Sequence, residues 1–275
     1  MWSKPGTPIP IDASQLVVGL HIWLDLKWDE HAFILCMLVG KKAGLSERDL
    51  ADLALGALAH DAGKSQIPVQ ILQSSQRKKH EEDFYRQHVQ YSTQFASQSG
   101  AFSREALAII ADHHEAMNGT GWPAGKKDAG VGARILALVD RYDRLCTPEV
   151  LGREPLMPAE ALATMFRNEA DRLDPVLLLL LIKLLGVYPP GTVVQLSDGA
   201  LALVVSPGLQ SLKPKVLIYS PDLHKDDAPT VDLSSEPDLK IAEAIRPGTL
   251  PPDVLEWLNP QQRLSYFYSV NEPKP

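Results

Sequence analysis

The hydrophobic period of this 275-residue chain changes once, at Tyr188-Pro189-Pro190-Gly191, and that break limits what the chain can fold into. From about residue 33 to 187, apolar residues recur at spacings of three and four. They run through Leu50, Leu53, Ala54, Ala57 and Leu58, then Ala106, Ile109 and Ile110, then Ile135, Leu138 and Val139. Such spacing lays an apolar stripe along a helix, so a bundle of about six helices is predicted. Ser46 offers a helix N-cap, and Gly44 a stop for the helix before it. Beyond the break the period becomes two, over residues 192–196, 201–205 and 215–219, with Asp198-Gly199 as a hairpin signal. A small antiparallel sheet or barrel is expected there, with proline-rich loops at 206–214 and 247–252 and a last strand near 265–270. Residues 9–28 alternate in places and carry β-branched and aromatic side chains, which predicts one or two short strands. The expected architecture is mainly α: a short N-terminal β segment over 1–33, a helical domain over 34–188 and a small β-rich domain over 189–275.

A chain of this length buries a core without covalent staples. Cys36 and Cys146 are each isolated within apolar stretches, so neither a disulfide framework nor a paired-cysteine zinc site is indicated, and a reducing cytoplasm is the expected location. The first ten residues hold three prolines and no basic region leading into an apolar run, so they do not read as a signal peptide. The longest apolar run, 176–185, is interrupted by Lys183 and falls well short of the roughly 20 residues of a membrane span. It is read as a buried core helix. A net charge of -7 and a pI near 5.6 disfavour a nucleic-acid polymer as partner. A small anionic ligand remains open, because bound metal ions supply local positive charge whatever the overall sign.

Histidines carry the chemical signal. Of eight, His60, His80, His88, His113 and His114 fall within one stretch of the helical region. A lone histidine is usually structural or superficial, and His80 fits that description inside the charged run from Arg77 to Glu82. The others have acidic or imidazole neighbours. His60-Asp61 ends an apolar helix over 53–59, and His113-His114-Glu115 ends another over 106–111. Asp140 is the one charged residue after Arg134 in the run 133–140. An unpaired buried carboxylate costs several kcal/mol, a cost that a bound metal removes. Three such groups describe a nitrogen and oxygen donor set for two transition ions rather than a thiolate zinc site.

Here the order of motifs becomes specific. His60-Asp61-Ala62-Gly63-Lys64, His88, His113-His114-Glu115 with Asn118-Gly119-Thr120-Gly121-Trp122-Pro123, Arg134-Ile135 and Asp140-Arg141-Tyr142-Asp143 closely resemble the HD-GYP branch of the HD phosphohydrolases. The likeness covers roughly residues 40–190. Residues 186–191 and the following strands resemble the tail of one subgroup. Residues 9–33 resemble the start of a β module that precedes the catalytic domain there.

The resemblance implies an HD-type helical bundle that hydrolyses a cyclic dinucleotide, cyclic di-GMP foremost, to pGpG, GMP or both. It implies two divalent transition ions, iron or manganese first and nickel or zinc also compatible. Their ligands would be His60, Asp61, His88, His113, His114 and Asp140, with Asp61 bridging, and the nucleophile a hydroxide between the ions. Lys64 would contact the scissile phosphate. Gly121, Trp122 and Pro123, with Gly119, would shape a loop for recognising substrate and other signalling proteins. The chain departs from the family pattern at several points. Trp122 replaces a tyrosine, Asn118 an aspartate, and Val89 and Ser92 a proline and a glycine. A further upstream histidine ligand falls, on an ungapped count, at Trp28. His31 lies one turn away and is read as structural, in keeping with a catalytic domain whose beginning is missing. Two other substrates or roles stand beside the leading one: cyclic GMP-AMP, and a regulatory module that binds a nucleotide or protein without turnover. A general nucleotide phosphohydrolase fits the Gly-Trp-Pro loop less well.

Overall fold

The computed structural model describes residues 30–260 apart from 149 and 211. The strands predicted over 9–28 and 265–270, and Trp28, lie outside the described residues. Ten helices are numbered here: α1 (Glu30–Lys42), α2 (Glu47–Ala59), α3 (Val69–Leu72), α4 (Lys79–Arg86), α5 (His88–Ser99), α6 (Arg104–Asp112), α7 (Val131–Cys146), α8 (Pro158–Asn168), α9 (Pro175–Leu185) and α10 (Pro252–Leu258). A 3-10 turn, Ala62–Gln66, follows the His60-Asp61 pair.

Helix α1 corrects one expectation. Residues 30–33, assigned to the N-terminal β segment, are helical. Ala32, Leu35, Cys36 and Val39 fall at i, i+3, i+4 and i+7 and are all buried in the main core. His31 stands in the first turn of that helix. The helical region also holds nine helices among the described residues before the Pro-Pro-Gly break, not about six, because residues 60–99 are cut into short pieces. Pro68 cannot continue a helix and instead leads into α3.

The core is built where apolar faces meet. Leu53 and Ala57 of α2, Ile109 of α6, Ile135, Leu136, Leu138 and Val139 of α7, and Leu177, Leu178 and Leu181 of α9 form one cluster with α1. Two ends are fixed by side-chain caps. Ser46 Oγ accepts from Asp49 N at the start of α2. Ser103 Oγ accepts from Ala106 N at the start of α6 while donating to the buried Asp52 of α2. Both bonds help hold α2 and α6 in position, and each helix ends on a histidine of the candidate site.

After the break come β1 (Val193–Leu196), β2 (Leu201–Gln210), β3 (Lys213–Ile218), β4 (Thr230–Asp232) and β5 (Ile241–Ile245). They form one antiparallel sheet in the order β4-β3-β2-β1-β5. Both faces are covered. Val194, Leu196, Ala202, Val204 and Val216 pack with Leu233 on one side, and Val193, Leu203 and Leu217 pack with Val254 and Leu258 of α10 on the other. The expected loop at 206–214 is corrected: β2 and β3 continue through most of it. Register shifts between Val204 and Ser206, and between Ser206 and Gln210, take up Pro207 and Gly208 as bulges. Helix α10 also replaces part of what read as proline-rich loop, because Pro252 occupies a first-turn position where no N–H is needed.

Candidate functional site

Four chain segments deliver their polar side chains to one buried place. His60 caps the C-terminus of α2 and His113 that of α6. His88 opens α5, and Asp140 projects from the middle of α7. His60, His88, His113 and Asp140 are all buried. The imidazoles share an orientation that follows from their helix-end positions. His60 Nδ1 donates to Ala57 O at 2.8 Å, His88 Nδ1 to Tyr85 O at 2.7 Å and His113 Nδ1 to Ile110 O at 2.7 Å. A proton fixed on Nδ1 turns each Nε2 away from its own helix, where in the neutral ring it offers a lone pair.

Those lone pairs converge. Asp61 Oδ2 lies 3.3 Å from His60 Nε2, and Asp61 Oδ1 lies 3.4 Å from His88 Nε2. Asp140 Oδ1 is 3.9 Å from His60 Nε2, and its Oδ2 is 3.9 Å from His114 Nδ1. His114 Nε2 faces His88 Nε2 at 3.2 Å. Two sets of donors each fall within 4.8 Å: His88, His113 and His114, and His60, Asp61 and His113. His113 belongs to both. Its Nε2 and Asp61 Oδ1 are buried without a hydrogen-bond partner. Orphaned groups of this kind are costly in a core, and together with the aimed lone pairs they fit divalent ions bound by nitrogen and oxygen. The six residues expected as ligands are thus brought together, and the residues present suit the group the sequence implies.

Electrostatics favour the donor forms of His88, His113, His114 and both aspartates, and a proton on His60. Burial drives the pKa of His88 down to about 4 and that of His113 down to about 3, and burial with the neighbouring His113 takes His114 well below the usual range. Burial opposes charge on His60 too, but Asp61 and Asp140 outweigh it and lift its pKa to about 10. Burial also opposes ionisation of both aspartates. Lys64 and His60 hold Asp61 far below the ordinary carboxylate range, and Arg144 with His60 does the same for Asp140.

Lys64 lies in the 3-10 turn, its Nζ 2.7 Å from Asp61 Oδ2. The turn is seated directly on α5. A Cβ at Gly63 would stand 2.1 Å from His88 O, and Gly63 N donates to Ser92 Oγ at 2.8 Å. Ser92, noticed in the sequence as a departure, therefore latches the Lys64 turn to the helix that carries His88.

The Gly-Trp-Pro loop folds back over the imidazoles. Trp122 packs on His114, with ring centroids 4.1 Å apart and planes 30° apart, and meets the edge of His88 at 5.4 Å. The guanidinium of Arg86 sits 5.5 Å from the indole centre. The aromatic ring expected to serve recognition thus has a histidine as its stacking partner, while Pro123 is exposed. The glycine at 121 is needed because a Cβ there would lie 2.3 Å from Ala116 N, a clash with the chain itself. Glu115 accepts from Ala124 N at 2.7 Å and from Lys126 N at 2.8 Å, so it holds the loop and joins neither donor set. Sequence reading missed this clamp and also Arg144, whose NH1 is 3.3 Å from Asp140 Oδ2. A spacing of four on a helix was the available signal for Arg144.

Comparison with known proteins places this geometry. The HD domain family model matches residues 26–177. A cyclic di-GMP phosphodiesterase of Pseudomonas aeruginosa is 27% identical over 196 residues, covering 69% of this chain and 47% of that protein. The cyclic di-GMP phosphodiesterase response regulator RpfG of Xanthomonas campestris is 29% identical, covering 50% and 37%. A 3'3'-cGAMP-specific phosphodiesterase of Vibrio cholerae is 30% identical, covering 55% and 33%. The chain spans less than half the length of each of these relatives. Among solved structures, Bd1817, an HDG"Y"P protein from Bdellovibrio bacteriovorus, aligns with a TM-score of 0.48 at 23% identity over 62% of this chain and 57% of that one. Matched over more than half of its residues, with its histidine and aspartate donors gathered from the matched helices, the chain belongs to the HD-domain family and is distantly similar to cyclic dinucleotide phosphodiesterases.

Proposed function

We propose that the protein is a cyclic-dinucleotide phosphodiesterase acting on cyclic di-GMP, giving pGpG, GMP or both, with two divalent ions held by His60, Asp61, His88, His113, His114 and Asp140. The observation that carries this reading is the convergence of Nε2 atoms, each ring anchored through Nδ1, on a carboxylate whose Oδ1 has no hydrogen-bond partner. Asp61 presents its two oxygens to different histidines, His60 and His88, which suits a bridging ligand. Bound there, divalent ions lower the pKa of water and offset charge developing on a phosphoryl group. An imidazole and carboxylate set with no thiolate suits iron or manganese, with nickel or zinc also accommodated.

The chain's own groups supply the rest. Lys64, held over Asp61 by the Gly63–Ser92 latch, is the cation that meets the scissile phosphate. Trp122 fixes the plane of His114, and the exposed tip of the loop at Thr120 and Pro123 is the surface for substrate and for signalling partners. The catalytic unit is taken to run from α1 to about residue 188, with the sheet beyond it an accessory unit.

Elemental analysis of the purified protein, paired with incubation against cyclic di-GMP and 3'3'-cGAMP and identification of products, tests the reading. Two equivalents of a transition metal with pGpG or GMP as product support it. Preferential hydrolysis of 3'3'-cGAMP would move the substrate to the mixed dinucleotide. Binding of either ligand by metal-loaded protein with no product would replace the enzyme with a regulatory module.

A further inference from the structure

We propose that Arg144 is a second phosphate-contacting residue, paired with one metal-ligand carboxylate as Lys64 is with another, so that the site grips both phosphates of a cyclic dinucleotide. The inference deepens the phosphodiesterase reading above and rests on it. Lys64 and Arg144 reach the cluster from different elements, the 3-10 turn and α7, and each pairs with a different carboxylate. Lys64 Nζ is 2.7 Å from Asp61 Oδ2, and Arg144 NH1 is 3.3 Å from Asp140 Oδ2. Both carboxylates face the same His60 Nε2, at 3.3 Å and 3.9 Å, so the two ion pairs converge on one imidazole. The Arg144 side chain is 34% exposed while Asp140 beneath it is 9% exposed, which puts the guanidinium at the rim and the carboxylate below it.

Charge balance gives the pair its purpose. Lys64 and Arg144 offset Asp61 and Asp140 one for one within the cluster. Divalent ions taken up by the carboxylates therefore leave surplus positive charge, in a protein whose net charge is -7. A ligand with two phosphodiester charges answers that surplus better than a ligand with one. The planar guanidinium fork suits the rim position, because one N–H can keep Asp140 in place while others turn toward a phosphate.

The test compares the parent protein, Arg144→Ala and Arg144→Lys, all loaded with manganese, on cyclic di-GMP and on bis(p-nitrophenyl) phosphate, which has a single phosphodiester. Metal content is measured on the same samples, and calorimetry gives the Kd for pGpG. For Arg144→Ala the expected result is a KM for cyclic di-GMP and a Kd for pGpG each raised about tenfold or more, the scale of one charge-assisted contact. Turnover of the small diester should fall far less than activity on cyclic di-GMP, with the metal retained and part of the affinity recovered in Arg144→Lys. Equal losses on both substrates, or a loss of metal, would overturn the proposal and make Arg144 a residue that only orients Asp140. Should the parent hydrolyse no cyclic dinucleotide, the phosphodiesterase reading fails by itself, and the pGpG measurement still decides Arg144. Unchanged affinity in Arg144→Ala, or no binding by the parent, removes it.

Discussion

The helical region and the sheet bury side chains for different ends. Asp52, His60, His88, Ser92, Asp112, His113, Glu115, Asp140 and Asp174 are all buried, and all lie before the Pro-Pro-Gly break. In the sheet region Thr192 alone joins them among the described residues, and its hydroxyl is satisfied by Pro189 O at 2.6 Å. The two apolar clusters of the sheet region contain nothing that titrates near neutrality. A fold selected for stability alone has little reason to bury imidazoles and carboxylates, since hydrophobic replacements of similar volume are often neutral or stabilising. The contrast locates the chemistry in the helices and leaves the sheet held by burial.

Substitutions that uncouple stability from chemistry sharpen that contrast. Asp61→Ala carries the largest expected effect: loss of at least one ion and turnover reduced to background. It should lower the thermal stability of the metal-free protein only moderately, because Lys64 and His60 lose the carboxylate they pair with while an Oδ1 without a hydrogen-bond partner is removed as well. Metal analysis and thermal unfolding after chelation check both halves. Full metal content in this variant would remove the bridging role. Lys64→Ala comes next, with hydrolysis lower by on the order of 10² and both ions retained, since a cation aimed at developing phosphoryl charge acts mainly in the transition state. An unchanged turnover number in metal-replete Lys64→Ala would reduce the residue to a partner of Asp61.

Most of this contrast was legible in the residues. The histidine and aspartate pairs announced themselves because each ends an apolar run, where a polar pair has no ordinary packing role. The period change at Tyr188 separated helices from sheet because a strand alternates and a helix does not. What escaped depended on contacts across the chain. Ser92 reads as a lost glycine until the Gly63 amide is seen on its hydroxyl. Trp122 reads as a free stacking face until His114 is found against it. Helix α10 was hidden by flanking prolines, and its Val254 and Leu258 have meaning only as a cover for the sheet. The N-terminal boundary was misplaced because the motif resemblance outweighed the plain helical spacing of Ala32, Leu35, Cys36 and Val39.

Deleting residues 191–275 tests the proposed division more bluntly. Metal stoichiometry should survive, because the six candidate ligands all lie in the helical region. Some loss of stability is expected where Tyr188 packs against the sheet cluster and Arg246 pairs with Glu160 of α8 at 2.7 Å. The pair is exposed, so its own share is on the order of 1 kcal/mol or less. Loss of metal from the truncated chain would show that the sheet completes the site.

Leu258→Ala should have the smallest effect on chemistry and a large one on the sheet. The side chain is fully buried with Val193, Leu203, Leu217 and Val254, at the point where α10 closes one face. Truncating a buried leucine costs about 2 to 5 kcal/mol, through lost transfer free energy and the cavity left behind. Hydrogen exchange read region by region separates the possible responses. If the two regions open independently, faster exchange is confined to β1–β5 and α10, while α2, α5, α6 and α7 keep their protection and turnover and metal content are those of the parent. Faster exchange in α7 as well would mean that helices and sheet unfold as one cooperative unit, and that the apolar sheet contributes to the stability on which the buried donors of the site depend.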